Sequence, residues 1–255
     1  MKTLMLAFAP FALVTALVVG VRAASEDVEH VTRTLQAEAG GALRLKSFSG
    51  RVNVIGTDSN EVTVDAVRRG PRNLLDHVKL DIYKSGNAVY INANRRDSTW
   101  SWWHSWSNDV VNTDLDVHVP RRTDVEVSVF SAPVTIESVD GTHRVTGFSS
   151  RIRLDDVAGP VRAHTFSGSI DVQAKEWRDG QDVDIDTFSG NVTMRVPDGV
   201  RGTVSFNSFS GHFKSDLPLT LRSSNRKSMR AELGSEPGDS TLRFKTFSGN
   251  VNIGR

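Results

Sequence analysis

Three groups of residues carry types and spacings that could do chemistry. If successive strands stack in register, Ser128, Thr146, His164, Asp186, Asn207 and Lys245 form one outward column. An imidazole between a hydroxyl and a carboxylate imitates a nucleophile–base–orienter triad. A flat, exposed sheet supplies neither an oxyanion hole nor exclusion of water, so the column reads as a solvated polar ladder and no catalytic residue is assigned. The second group is Asp182, Asp184 and Asp186, which share one face of a strand. Alternate strand residues lie about 7 Å apart and do not converge as calcium ligands must, so no metal site is assigned. A neighbouring column, Glu126, Arg144, Arg162 and Asp184, reads as cross-strand charge pairing. The sequence has no glycine-rich phosphate loop, His-Glu-x-x-His helix or nucleophile elbow, and no cofactor is expected.

The third group is the segment Trp100-Ser101-Trp102-Trp103-His104-Ser105-Trp106, which holds four of the five tryptophans. Indole joins a large apolar area to a polar N–H, which suits a glycan, a membrane interface or a protein partner. Trp100, Trp102, Trp103 and Trp106 are therefore candidate binding residues. The competing reading makes the segment a plug over an end or side of the fold.

The elements that position these groups come from a repeat. Phe-Ser-Gly or a near copy begins at Phe48, Phe130, Phe148, Phe166, Phe188, Phe209 and Phe247, with a basic unit of about 18 residues and insertions in some copies. One residue before the ring stand Ser47, Val129, Gly147, Thr165, Thr187, Ser208 and Thr246; three before it the residues are mostly Leu, Val, Ile or Phe. Four and six residues after it come pairs such as Ile152 and Leu154, Ile170 and Val172, and Val192 and Met194. Both flanks are period-2 strands with one apolar face, and the phase changes once at each corner.

A second corner recurs opposite, at Val139-Asp140-Gly141 and Val157-Ala158-Gly159. Two strands and two corners per unit predict an all-β fold: a flattened two-sheet, β-roll-like β-solenoid whose rungs stack about 4.8 Å apart. A β-sandwich is the alternative. Glycine at the third corner position (Gly50, Gly168, Gly190, Gly211, Gly249) predicts positive φ there, whereas Ala132 and Ser150 depart from the pattern. The rings Phe130, Phe148, Phe166, Phe188, Phe209 and Phe247 are expected to point inward as a structural ladder at the edge of the core, rather than outward to grip a sugar chain.

Around the repeats, residues 1–23 read as a signal peptide: Lys2, an apolar run from Leu4 to Val19, and a small-x-small exit at Val21, Arg22 and Ala23. Removing Lys2 and Arg22 leaves 29 basic against 30 acidic side chains, a balance that does not point to nucleic acid. The mature chain has no predicted transmembrane segment, and the absence of cysteine excludes disulfides, thiolate metal sites and lipidation of a cysteine. Residues 24–120 are read as an irregular β region continuous with the solenoid, and 121–255 as the regular repeats. The stretch from Leu217 to Ser240, with Arg222, Arg226, Lys227 and Arg230, is read as a protruding basic loop.

The corners Thr165-Phe166-Ser167-Gly168 and Thr187-Phe188-Ser189-Gly190, the lead-in Leu115-Asp116-Val117-His118-Val119-Pro120 and the closing Thr246-Phe247-Ser248-Gly249-Asn250-Val251 resemble the bacterial exported putative-adhesin family, domains of unknown function. The resemblance implies a β-solenoid with repeated Thr-x-Ser-Gly corners, no established catalytic residues and no cofactor. The expected function is an exported, non-catalytic adhesin-like or scaffold protein, periplasmic or at the cell surface, contacting the envelope, a glycan or a protein partner. The alternative is a β-solenoid enzyme that processes polysaccharide.

Overall fold

The computed structural model describes residues 27–96, 110–225, 227–234, 236 and 238–255. The signal-like segment and the tryptophan cluster, including Trp100, Trp102, Trp103 and Trp106, lie outside the described residues.

The chain runs through β1 (Asp27–Gln36), β2 (Gly41–Ser49), β3 (Val52–Thr57), β4 (Glu61–Gly70), a short helix α1 (Arg72–His77), β5 (Val78–Ser85) and β6 (Ala88–Arg96). The middle is β7 (Asn112–Pro120), β8 (Thr123–Ser131), β9 (Val134–Glu137), β10 (His143–Ser149), β11 (Ile152–Val157), β12 (Val161–Ser167) and β13 (Ile170–Ala174). Then follow β14 (Asp182–Ser189), β15 (Val192–Arg195), β16 (Gly202–Ser208), β17 (Phe213–Ser215), β18 (Leu219–Ser224), β19 (Ser228–Leu233), β20 (Ser240–Ser248) and β21 (Val251–Gly254).

These strands form two stacked sheets, a β-solenoid. The ten-stranded sheet is ordered β1-β4-β7-β3-β9-β11-β13-β15-β21-β17, and the eleven-stranded sheet β18-β19-β16-β20-β14-β12-β10-β8-β2-β6-β5. Every Phe-Ser-Gly corner joins a strand of the second sheet to one of the first. Neighbouring rungs pair in parallel and in register: Val145 faces Val127 and Ala163, and Ile152 faces Val134 and Ile170. The inner faces interdigitate as one core that includes Leu45, Val127, Ile152, Ile185, Met194 and Phe244.

Antiparallel strands flank both ends: β1 on β4 and β5 on β6 at one, β18 on β19 at the other. In α1, Pro71 accepts the first backbone bonds, and Leu74 and Leu75 bury against Val78 and Val111.

The corner at Phe48, one of the copies of the repeat, stacks as a rung: β2 and β3 pair in parallel with β8 and β9. Three expectations are corrected. The predicted basic loop is the hairpin β18–β19, hydrogen-bonded to β16 and fastened by a bidentate Arg222–Glu232 pair at 2.8 and 2.6 Å. The rungs are not stacked in chain order: β20 lies between β14 and β16, and β21 between β15 and β17.

The third concerns glycine. Gly50 and Gly168 have φ of 110° and 139°, but Gly190, Gly211 and Gly249 are not in the positive-φ region. What demands glycine at those three is contact with the adjacent rung. A Cβ on Gly190 would lie 1.9 Å from the Gly168 carbonyl oxygen, and one on Gly249 1.9 Å from that of Gly190.

Candidate functional site

The seven corner rings stack in the order Phe48, Phe130, Phe148, Phe166, Phe188, Phe247, Phe209, with centroids 4.6–5.0 Å apart and planes within 8° of parallel. They do not point inward as expected. Phe130, Phe148, Phe166, Phe188, Phe209 and Phe247 are 43–58% exposed. The reason lies one residue earlier. Strand alternation carries the inward phase through Thr165, Thr187 and Thr246, which are buried, so the next side chain must face out. The inner corner has room only for a small residue, and its hydroxyl serves the turn: Thr165 Oγ1 donates toward the carbonyl oxygens of Ser150 and Ser167 at 3.3 and 3.2 Å.

Summed from ring to ring, the ladder is an apolar strip about 29 Å long and one ring wide. Because each inner ring is sandwiched between two others, it offers solvent its C–H edge rather than its π face. The terminal ring Phe209 has one face free of a ring partner, and Lys227 Nζ covers it at 4.5 Å from the centroid.

Beside the strip runs the outward column, in the spatial order Lys46, Ser128, Thr146, His164, Asp186, Lys245, Asn207. His164 Nδ1 lies 3.7 Å from Asp186, and both side chains are about half exposed. The hydroxyl expected beyond His164 is Thr146, on the next rung. Asp182, Asp184 and Asp186 lie along β14 beside Arg162 and His164 on one flank and Arg243 and Lys245 on the other. Among the described residues no cluster of three or more His, Asp or Glu is placed to hold a metal ion.

Where the hairpin β18–β19 extends the sheet past β16, strip and column border an open groove of about 970 Å³. Phe166, Phe188, Phe247 and Phe209 line one side, His164, Asp186, Lys245 and Asn207 the floor, and Asn225, Lys227 and Ser228 of the hairpin turn the end. Lys227 and Lys245 have no carboxylate within ion-pair distance among the described residues; Asp186 faces His164 instead. The two strands of the hairpin are joined by the Arg222 guanidinium on Glu232, which keeps that carboxyl below its usual range. Sequence reasoning missed this groove, because the lysine over Phe209 and the rung carrying Lys245 arrive there only through the hairpin and the displaced last rung.

Comparison with known proteins agrees with the architecture. No curated protein shows significant similarity to the chain. The fold is similar to that of a putative cell adhesion protein from Clostridium sporogenes ATCC 15579, with a TM-score of 0.54 and 10% identity over 89% of this chain and 99% of that one. A putative adhesin from Bacteroides fragilis NCTC 9343 aligns over 88% of this chain and 97% of its own at 10% identity, with a TM-score of 0.45. The family match falls on the rungs themselves: residues Val134 to Gly254 match the model of the Toastrack DUF4097 family, a domain of unknown function.

Proposed function

We propose that the protein is an exported, non-catalytic, adhesin-like scaffold that contacts the cell envelope through the face carrying the phenylalanine strip. The observation that carries this reading is the strip itself: seven stacked rings, six of them more than two-fifths exposed, on a fold whose core closes without them. Contiguous exposed apolar surface on this scale marks interaction sites. Its shape, an open ridge and groove beside solvated columns, suits binding along a length rather than chemistry at a point. The Clostridium sporogenes protein of like fold carries a cell-adhesion name, which is in keeping with this role. The apolar segment at residues 1–23 would direct export, and Trp100, Trp102, Trp103 and Trp106 would add a second contact. Among the described residues no helix is long and apolar enough to cross a membrane.

The test is attachment of the labelled mature chain to isolated envelopes. Replacing Phe130, Phe148 and Phe166 by Ser should reduce attachment at least tenfold while the chain stays folded by circular dichroism. Undiminished attachment of the folded variant would overturn the assignment to the strip. Steady release of new reducing or unsaturated ends from polysaccharide would overturn the non-catalytic reading.

A further inference from the structure

The groove beside the turn of the β18–β19 hairpin is bordered by two lysines, Lys227 and Lys245, that make no ion pair among the described residues. We propose that it holds a single-chain anionic amphiphile, with the alkyl chain along the edges of Phe166, Phe188 and Phe247 and the acidic head between Lys227 and Lys245. This names a ligand class for the envelope-binding face and rests on that reading.

Three observations select this occupant. Sugar rings bind aromatics through the π face, and here the inner faces are covered by neighbouring rings while Lys227 covers the outer face of Phe209. What remains is a row of C–H edges, an apolar surface that a flexible alkyl chain can follow. A second copy of the chain is disfavoured by area. Rings of about 200 Å² each, exposed to the extent seen here, give roughly 600 Å² over the whole ladder, below the roughly 800 Å² per partner of a stable interface. Charge then fixes the head group. Lys227 and Lys245 make no ion pair among the described residues, and the carboxylate of Asp186 on the floor is turned to His164 at 3.7 Å. The groove, about 970 Å³, is large enough for one such chain and its head.

The experiment is calorimetric titration of the mature protein with laurate and with dodecyl maltoside, both below their micelle concentrations. Laurate should bind one to one and at least tenfold tighter than the neutral detergent of equal chain length. The double variant Lys227→Gln, Lys245→Gln should bring laurate to the level of the maltoside and leave the maltoside unchanged. Shortening the acid should weaken binding about twofold per methylene, since an open wall covers one side of the chain. Phe188→Ser should weaken both ligands about fivefold, with the unfolding midpoint recorded alongside; the lysine variant, on exposed side chains, decides the matter if Phe188→Ser does not fold. Equal affinity for the two ligands, or laurate binding indifferent to the lysine variant, would overturn the proposal. So would binding to phosphatidylglycerol vesicles without binding to free laurate. If envelopes still hold the chain while laurate does not bind, the amphiphile assignment falls and the scaffold reading stands; if neither binds, both fall.

Discussion

The two corners of each rung solve one geometric problem with different side chains. At Val139-Asp140-Gly141 and Val157-Ala158-Gly159, Val139, Val157 and Ala158 turn inward and are buried, and Asp140 bridges Arg122 and Ala158 in parallel. The glycine lies under the neighbouring rung: a Cβ on Gly159, whose φ is 104°, would come 2.3 Å from the Gly141 carbonyl oxygen. At the Phe-Ser-Gly corner the glycine does the same, small residues fill the inside, and a ring is set outside. The first corner turns without an aromatic. The ring is therefore not a requirement of turning, and the repeat of seven exposed rings is surplus to the core.

The largest effect should come from breaking what the corners share. Gly190→Ala sets a methyl 1.9 Å from a backbone oxygen in the middle of the stack, and should cost about 4–5 kcal/mol or prevent folding, as urea unfolding will show. Gly159→Ala at the other corner should behave alike, and a loss under about 1 kcal/mol at either would show that the rungs can part freely.

The comparison sharpens within a single strand, where β20 carries one phenylalanine facing in and one facing out. Phe244 is fully buried, and Phe244→Ala should cost about 3 kcal/mol or more. Phe247, 44% exposed and stacked between two rings, should cost about 1 kcal/mol on truncation. Equal losses would contradict the inside–outside division.

A smaller effect concerns the start of β10. His143 is buried, its Nε2 lies 3.3 Å from the Ala158 carbonyl oxygen, and its Nδ1 makes no hydrogen bond of normal geometry among the described residues. Burial holds the imidazole below its ordinary value of about 6.5, against weaker raising contributions from the Ala158 and Val139 backbone and from Asp124 and Asp140. With the folded value depressed, the unfolded chain binds the proton first. Stability is complete above pH about 6.5 and falls as the pH drops from there to the folded value, by at most about 1.4 kcal/mol per pH unit. His143→Val, which places at this position the residue found at Val125 and Val161 on the flanking rungs, should flatten that part of the pH profile. An unchanged profile would assign the acid sensitivity elsewhere.

The smallest effect belongs to the triad-like pair. His164 and Asp186 are about half exposed and 3.7 Å apart, so His164→Ala with Asp186→Ala should shift stability by under about 0.5 kcal/mol, as urea unfolding will show.

Much of this architecture is legible in the residues. The alternation around Val145 and Ile152, the recurrence near 18 residues and the two glycine corners are local properties. A strand's side chains must alternate, and a repeated unit that cannot cover its own inner face must stack on copies of itself. The facing of the rings is a case where two local parities compete. Phe166 shares the parity of Ile170 and Val172 after the corner, but Thr165 continues that of Val161 and Ala163 on the same strand, and adjacent residues of one extended strand cannot both point inward, so Thr165 takes the inside and Phe166 the outside.

Other features only the tertiary structure decided. Because the rungs are nearly equivalent, the sequence does not say which copy lies beside which, and β20–β21 takes the place between β14–β15 and β16–β17 by long-range hydrogen bonding. That insertion brings Lys245 next to Asp186, and the hairpin carries Lys227 over Phe209. The repeat thus determined the rung, the strands and the strip, whereas the order of rungs and the charged end of the groove depend on contacts between residues far apart in the chain, which no local pattern encodes.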